Sequence, residues 1–144
     1  MKLKVLVASV ALGILSLSNS AFANENGGGY IKHQRAIDEA RAPIKSYADL
    51  RNYLAAEPSS SPLNRLSPVA KTRFLESLVF TERGLGGYSY EPLKGELTAS
   101  QIYDVLSLFG AQATTRLIKG ATVKNETDRL IMQSDCEINL RCQG

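Results

Sequence analysis

The stretch Leu97–Gly110 constrains this chain more than any other. Its apolar residues Ile102, Val105, Leu106 and Phe109 follow at steps of three, one and three, so they share one side of a 3.6-residue spiral. Thr98 is placed to cap the first turn with Gln101 reaching back, and Gly110 suits the left-handed residue that ends it. Ser100, Asp104 and Ser107 occupy the other sides. A helix with so strong an apolar stripe cannot stand alone in water, so the remaining elements are read as packing onto it.

The first residues read as an export signal. Lys2 and Lys4 precede an apolar run, Val5–Leu17, and the small-residue pattern Ala21-x-Ala23 suits cleavage after Ala23. That apolar run is too short to cross a membrane, and no cysteine follows the cleavage point to carry a lipid, so no stable membrane anchor is expected after cleavage. Residues 1–23 are therefore expected to be a secretory signal peptide and residues 24–29, with three consecutive glycines, a flexible leader. Residues 30–144 are of a length for a single domain with a real core. Once Lys2 and Lys4 are gone, 15 basic residues face 14 acidic ones. That near balance argues against nucleic-acid binding, which calls for a basic stripe against phosphates.

Cys136 and Cys142 are the only cysteines. In an oxidising compartment so close a pair reads as a structural disulfide, adding about 2 kcal/mol by the chain-entropy model. Five intervening residues do not match the redox motif with two, and there are too few Cys and His residues for a structural zinc site. No metal and no cofactor is expected.

Helical signals recur along the domain. Tyr30, His33, Ile37 and Ala40 share one face of a helix that Pro43 ends near Ala42. Ser46 and Asp49 open a second helix, Tyr47–Ala56, with Tyr47, Leu50 and Leu54 on one side. The proline-interrupted stretch 57–62 is a surface loop, and 63–66 a short turn. Ser67 followed by Pro68 starts a helix expected to run to Arg83, with Phe74, Leu75, Leu78 and Val79 as its core face, Arg83 at its negative end and Gly84 as terminator. The stretch 84–95, with four glycines and Pro92, is expected to be extended, not helical. A two-turn helix is expected around Leu117 and Ile118, and Asn125 with Asp128 caps a last helix through Leu130, Ile131 and Met132. The expected fold is all-α: a small compact bundle of about five or six short helices, with one glycine/tyrosine-rich extended loop and a C-terminal disulfide.

No local motif carries chemistry. His33, the sole histidine, lies beside the leader, where a base is poorly held, and reads as a partly buried helix residue. Glu76, Glu82, Glu91 and Glu96 flank the glycine-rich stretch, but no spacing predicts the paired carboxyls of a glycosidase, and surface solvation explains each. The segment Gly84–Gly87 lacks the lysine of a phosphate loop, and 110–116 lacks the carboxylates of a calcium loop.

Tyr88 and Tyr90 remain. In an extended segment they share one face, and with Leu85 and Leu93 they form a candidate binding patch. The alternative is that the loop folds back and the rings cover the core, which the usual burial of aromatic rings favours. The functional expectation is an exported, periplasmic or secreted small helical binding protein of inhibitor, immunity or accessory type. It would act by contact with another protein of the envelope or exterior. The competing expectation is a small cell-envelope hydrolase with a carboxylate or His33 as base.

Overall fold

The computed structural model describes residues 28–56 and 58–133. The expected signal peptide, the Cys136–Cys142 pair and most of the expected leader lie outside them. Six α-helices occur among the described residues: α1 (Gly28–Arg41), α2 (Tyr47–Ala56), α3 (Pro68–Glu76), α4 (Glu91–Glu96), α5 (Ala99–Ser107) and α6 (Glu126–Gln133). Two 3₁₀ helices, Pro62–Arg65 and Gln112–Leu117, lie between them. An antiparallel hairpin, β1 (Val79–Thr81) and β2 (Gly84–Gly87), interrupts the helical order. The chain is thus mostly helical with one small two-stranded sheet, and not purely α. None of the described helices is long and apolar enough to cross a membrane.

The stripe on α5 is the floor of the core. Ile102, Val105 and Leu106 are fully buried and Phe109 nearly so, in one cluster with Ile44, Leu63, Phe74 of α3 and Leu93 of α4. Each such side chain contributes about 1.5–3 kcal/mol of burial. Phe74 of α3 meets Phe109 and Tyr88 edge to face, at centroid distances of 5.8 and 6.2 Å. That geometry lets the positive ring edge face the negative ring centre.

The orphan N–H groups at the start of α5 are met from three directions. Gln101 Oε1 accepts the Thr98 N–H at 3.0 Å, the expected reach-back. The Ala99 N–H goes to the Thr122 carbonyl at 2.8 Å, beside a parallel bridge between Thr98 and Thr122. The Ser100 N–H goes to Asp128 at 2.7 Å. At the other end Gly110 has φ +71°, the left-handed turn its sequence position predicts. The Ser46, Ser67 and Asn125 caps also form: Ser46 Oγ accepts from Asp49 N–H at 3.1 Å, Ser67 Oγ from Ala70 N–H at 3.2 Å and Asn125 Oδ1 from Asp128 N–H at 2.9 Å.

The helix expected over 68–83 stops at Glu76 instead. Ser77 turns back, its hydroxyl donating to the Phe74 carbonyl at 2.6 Å, and the chain leaves as a strand. Val79, Phe80 and Thr81 are aromatic or β-branched, types that favour a pleated strand over a helix's last turn. Leu78 is buried as expected, but Val79 is 54% exposed. Arg83 therefore occupies the hairpin turn, not a helix end, and Gly84, with φ +112°, supplies a backbone conformation that other residues rarely adopt. The expected extended stretch 84–95 is strand only over 84–87; α4 begins at Glu91 with Pro92 in its first turn, where a missing N–H costs little. The short helix expected near Leu117 is a 3₁₀ helix ending there. The helix α1 begins at Gly28, and of the residues on its expected shared face His33 and Ala40 are exposed while Ile37 is half-buried.

Candidate functional cleft

Three segments far apart in sequence enclose a cleft of about 230 Å³. Ile31, Arg35 and Glu39 of α1 form one wall, Arg83–Tyr88 of the hairpin the second, and Phe109–Leu117 the third. Lys45, exposed, also lines it. The close approach of α1 to the third wall depends on Gly110. A Cβ there would lie 2.7 Å from Glu39 Cα and 2.9 Å from the Asp38 carbonyl oxygen. The Ile44 N–H, donated to the Leu108 carbonyl at 3.0 Å, ties the chain after α1 to the same corner.

The lining combines buried or half-buried apolar residues with exposed cationic ones. Leu85, Tyr88, Phe109, Ala111 and Ala113 give the floor. Arg83 is exposed and has no ion-pair partner among the described residues. The Lys45 ammonium donates to the Ala40 carbonyl at 2.7 Å, at the negative end of α1. Glu39, the one carboxylate among the described lining residues, is held by Arg35 at 2.8 Å. Arg116 contributes a further cationic side chain to the wall.

Tyr88 joins two of the walls. Its hydroxyl lies 2.5 Å from Thr114 Oγ1, and the Thr114 hydroxyl itself donates to the Ala111 carbonyl at 2.7 Å, so Tyr88 is the donor. Burial pushes the Tyr88 phenol above its ordinary value, which keeps it neutral and able to donate.

The four residues expected to form a patch are separated. Leu85 and Tyr88 line the cleft, half-buried. Tyr90 lies outside it, 40% exposed, with the Lys94 ammonium 5.8 Å from its ring centre. Leu93 is fully buried and offers no surface to a partner. The shared face of Tyr88 and Tyr90 is lost because Tyr90 is no longer extended: it has helical backbone angles at the start of α4.

Neither His33 nor the four singled-out glutamates line the cleft. His33 is exposed, which corrects the expectation of partial burial. Glu96 accepts from the Ser67 N–H and hydroxyl at 2.7 and 2.5 Å, bonds that hold its carboxyl below the ordinary range. Glu91 pairs with Lys94 at 3.4 Å. Among the described residues no three His, Cys, Asp or Glu side chains gather as a metal-ligand set.

Sequence reasoning missed Lys45, Arg83, the α1 wall of Ile31, Arg35 and Glu39, and the whole third wall as site residues. The available signal was the strand-forming run 79–81 followed by the glycines of 84–87, which marks a hairpin and takes Arg83 off the helix. Comparison with known proteins returned no match to a family model, to a curated protein or to a solved structure.

Proposed function

We propose that this is an exported binding protein of inhibitor, immunity or accessory type, acting by contact with another protein of the envelope or exterior through the cleft between α1, the hairpin and the Phe109–Leu117 segment. Export rests on the Lys2–Ala23 pattern. Binding rests above all on one observation: the cleft combines an apolar floor with a rim carrying Arg83 and Lys45. Apolar surface supplies affinity and the charged rim selects and steers the partner.

Two measurements test this reading. N-terminal sequencing of the protein from a periplasmic or culture fraction is expected to begin at Asn24. A photo-cross-linking residue at Leu117, 66% exposed on the cleft rim, is expected to trap a partner in envelope extract. The same residue at Val69, exposed on α3 outside the cleft, is expected to trap nothing. Equal trapping at both positions, or at Val69 alone, contradicts the assignment.

A further inference from the structure

We infer that the cleft takes an extended acidic peptide segment of its partner, laid along the outer edge of β2 with one apolar side chain on the cleft floor. This deepens the proposed function and rests on its reading of the cleft.

The backbone supports it first. Among the described residues β2 pairs with β1 alone, so its second edge has no strand beside it. All four β2 residues line the cleft, with Arg83 and Tyr88 at their ends. Three of the four are glycines, and where a Cβ would stand on Gly84 or Gly87 nothing lies within 4 Å. A strand edge presents N–H and C=O groups ready for another strand, and glycines let a second backbone come close.

The register leaves Gly86 as the extra residue of a bulge, since Val79 faces Gly87 while Phe80 faces Leu85. A Cβ on Gly86 would lie 2.6 Å from Thr81 Cγ2, so a larger residue at the bulge requires the Thr81 side chain to shift.

Size and charge then narrow the occupant. At about 230 Å³ the cleft is smaller than the sites of roughly 300–1,000 Å³ that hold drug-sized ligands. Leu85, Tyr88 and Phe109 suit a single aliphatic or aromatic side chain, which a strand supplies at every second position. Arg83 has no carboxylate partner among the described residues, the Lys45 ammonium meets a carbonyl, and Glu39 is taken by Arg35. The unmatched charge is positive, so acidic side chains flanking the apolar one are favoured and lysine-rich segments are repelled.

The test uses the mature protein and a short fluorescent peptide alternating glutamate and leucine, read by anisotropy. Three controls accompany it: a lysine–leucine counterpart, the glutamate peptide N-methylated at alternate residues, and sodium dodecanoate as an anionic amphiphile without a peptide backbone. The glutamate peptide is expected to bind and the lysine peptide not. Backbone methylation is expected to abolish binding by removing strand-pairing donors. Arg83→Glu, an exposed change in the hairpin turn, is expected to weaken binding about tenfold, as a favourable charge contact becomes a repulsive one.

Binding of dodecanoate without the peptide overturns the inference in favour of an amphiphile. Equal binding of the methylated peptide overturns strand pairing. A partner trapped at position 117 while no peptide binds leaves the cleft as the contact surface and removes this occupant; no trapping and no peptide binding remove both.

Discussion

The Asp128 carboxylate accepts the Ser100 backbone N–H at 2.7 Å, joining the first turn of α6 to the first turn of α5. Its second oxygen accepts the Lys124 and Asn125 N–H groups at 2.8 and 3.2 Å. One fully buried side chain thus closes the N-termini of two helices. Asp128→Ala leaves three donors without this acceptor and is expected to cost about 2–3 kcal/mol in urea unfolding. Ser46→Ala, which removes the cap on the Asp49 N–H of α2 and leaves the Asp49 carboxylate on the Lys45 N–H, is expected to cost about 1 kcal/mol. Equal losses for the two variants contradict the double-cap reading.

The same carboxylate predicts an acid-sensitive fold. Burial alone would raise its pKa, but hydrogen bonds from Ser100, Lys124 and Thr98 outweigh that and hold the group far below its ordinary value. The unfolded chain therefore takes up the proton first. The stabilisation is complete well above the ordinary Asp value of about 4 and drains away as pH falls through that value toward the folded-state one. The urea midpoint of the wild-type protein is expected to fall between about pH 5 and about pH 3. Asp128→Asn should show a shallower fall over that range. Glu96, also held below its ordinary value by Ser67, adds a contribution of the same sign that the Asn variant retains.

Gly110 and Gly120 have nearly the same backbone, with φ +71° and +79°, but different surroundings. Nothing lies within 4 Å of a Cβ on Gly120, whereas one on Gly110 meets the backbone of Asp38 and Glu39. Gly120→Ala is expected to cost about 1 kcal/mol, the left-handed penalty alone. Gly110→Ala is expected to cost about 3 kcal/mol or more, because α1 must also move away. Thermal unfolding of the two variants checks the contrast; matching Tm values would mean that α1 does not press on Gly110.

Much of the helical core was legible because it depends on short-range rules. The α5 stripe and the caps at Ser46, Ser67 and Asn125 each need only residues a few positions apart. The hairpin was not, because Phe74, Leu75, Leu78 and Val79 continue a helical spacing across the break at Ser77. Strand propensity in 79–81 and the turn at Gly84 override that periodicity only when β2 is available to pair. The cleft was less legible still. Its walls come from residues 31–45, 83–88 and 109–117, and no local pattern reports that these meet. Tyr88 was singled out for its residue type, but its partner Thr114 lies 26 positions away.

The two tyrosines of the hairpin exit are expected to respond differently. Tyr88→Phe keeps the ring against Phe74 but loses the bond to Thr114, a loss of about 1 kcal/mol. Tyr90→Ala changes a side chain outside the cleft and is expected to alter stability by about 0.5 kcal/mol or less and leave partner trapping at position 117 unchanged. Loss of trapping in the Tyr90 variant would move the contact surface to α4.

Where a partner lands decides between the cleft and α4. The most direct measurement is the backbone amide spectrum of isotope-labelled protein titrated with the glutamate–leucine peptide. Shifts concentrated in Arg83–Tyr88 and Gly110–Leu117, with Glu91–Glu96 unmoved, are the predicted result. Shifts gathered around Tyr90 and α4, or no shifts while the peptide is in excess, would contradict it.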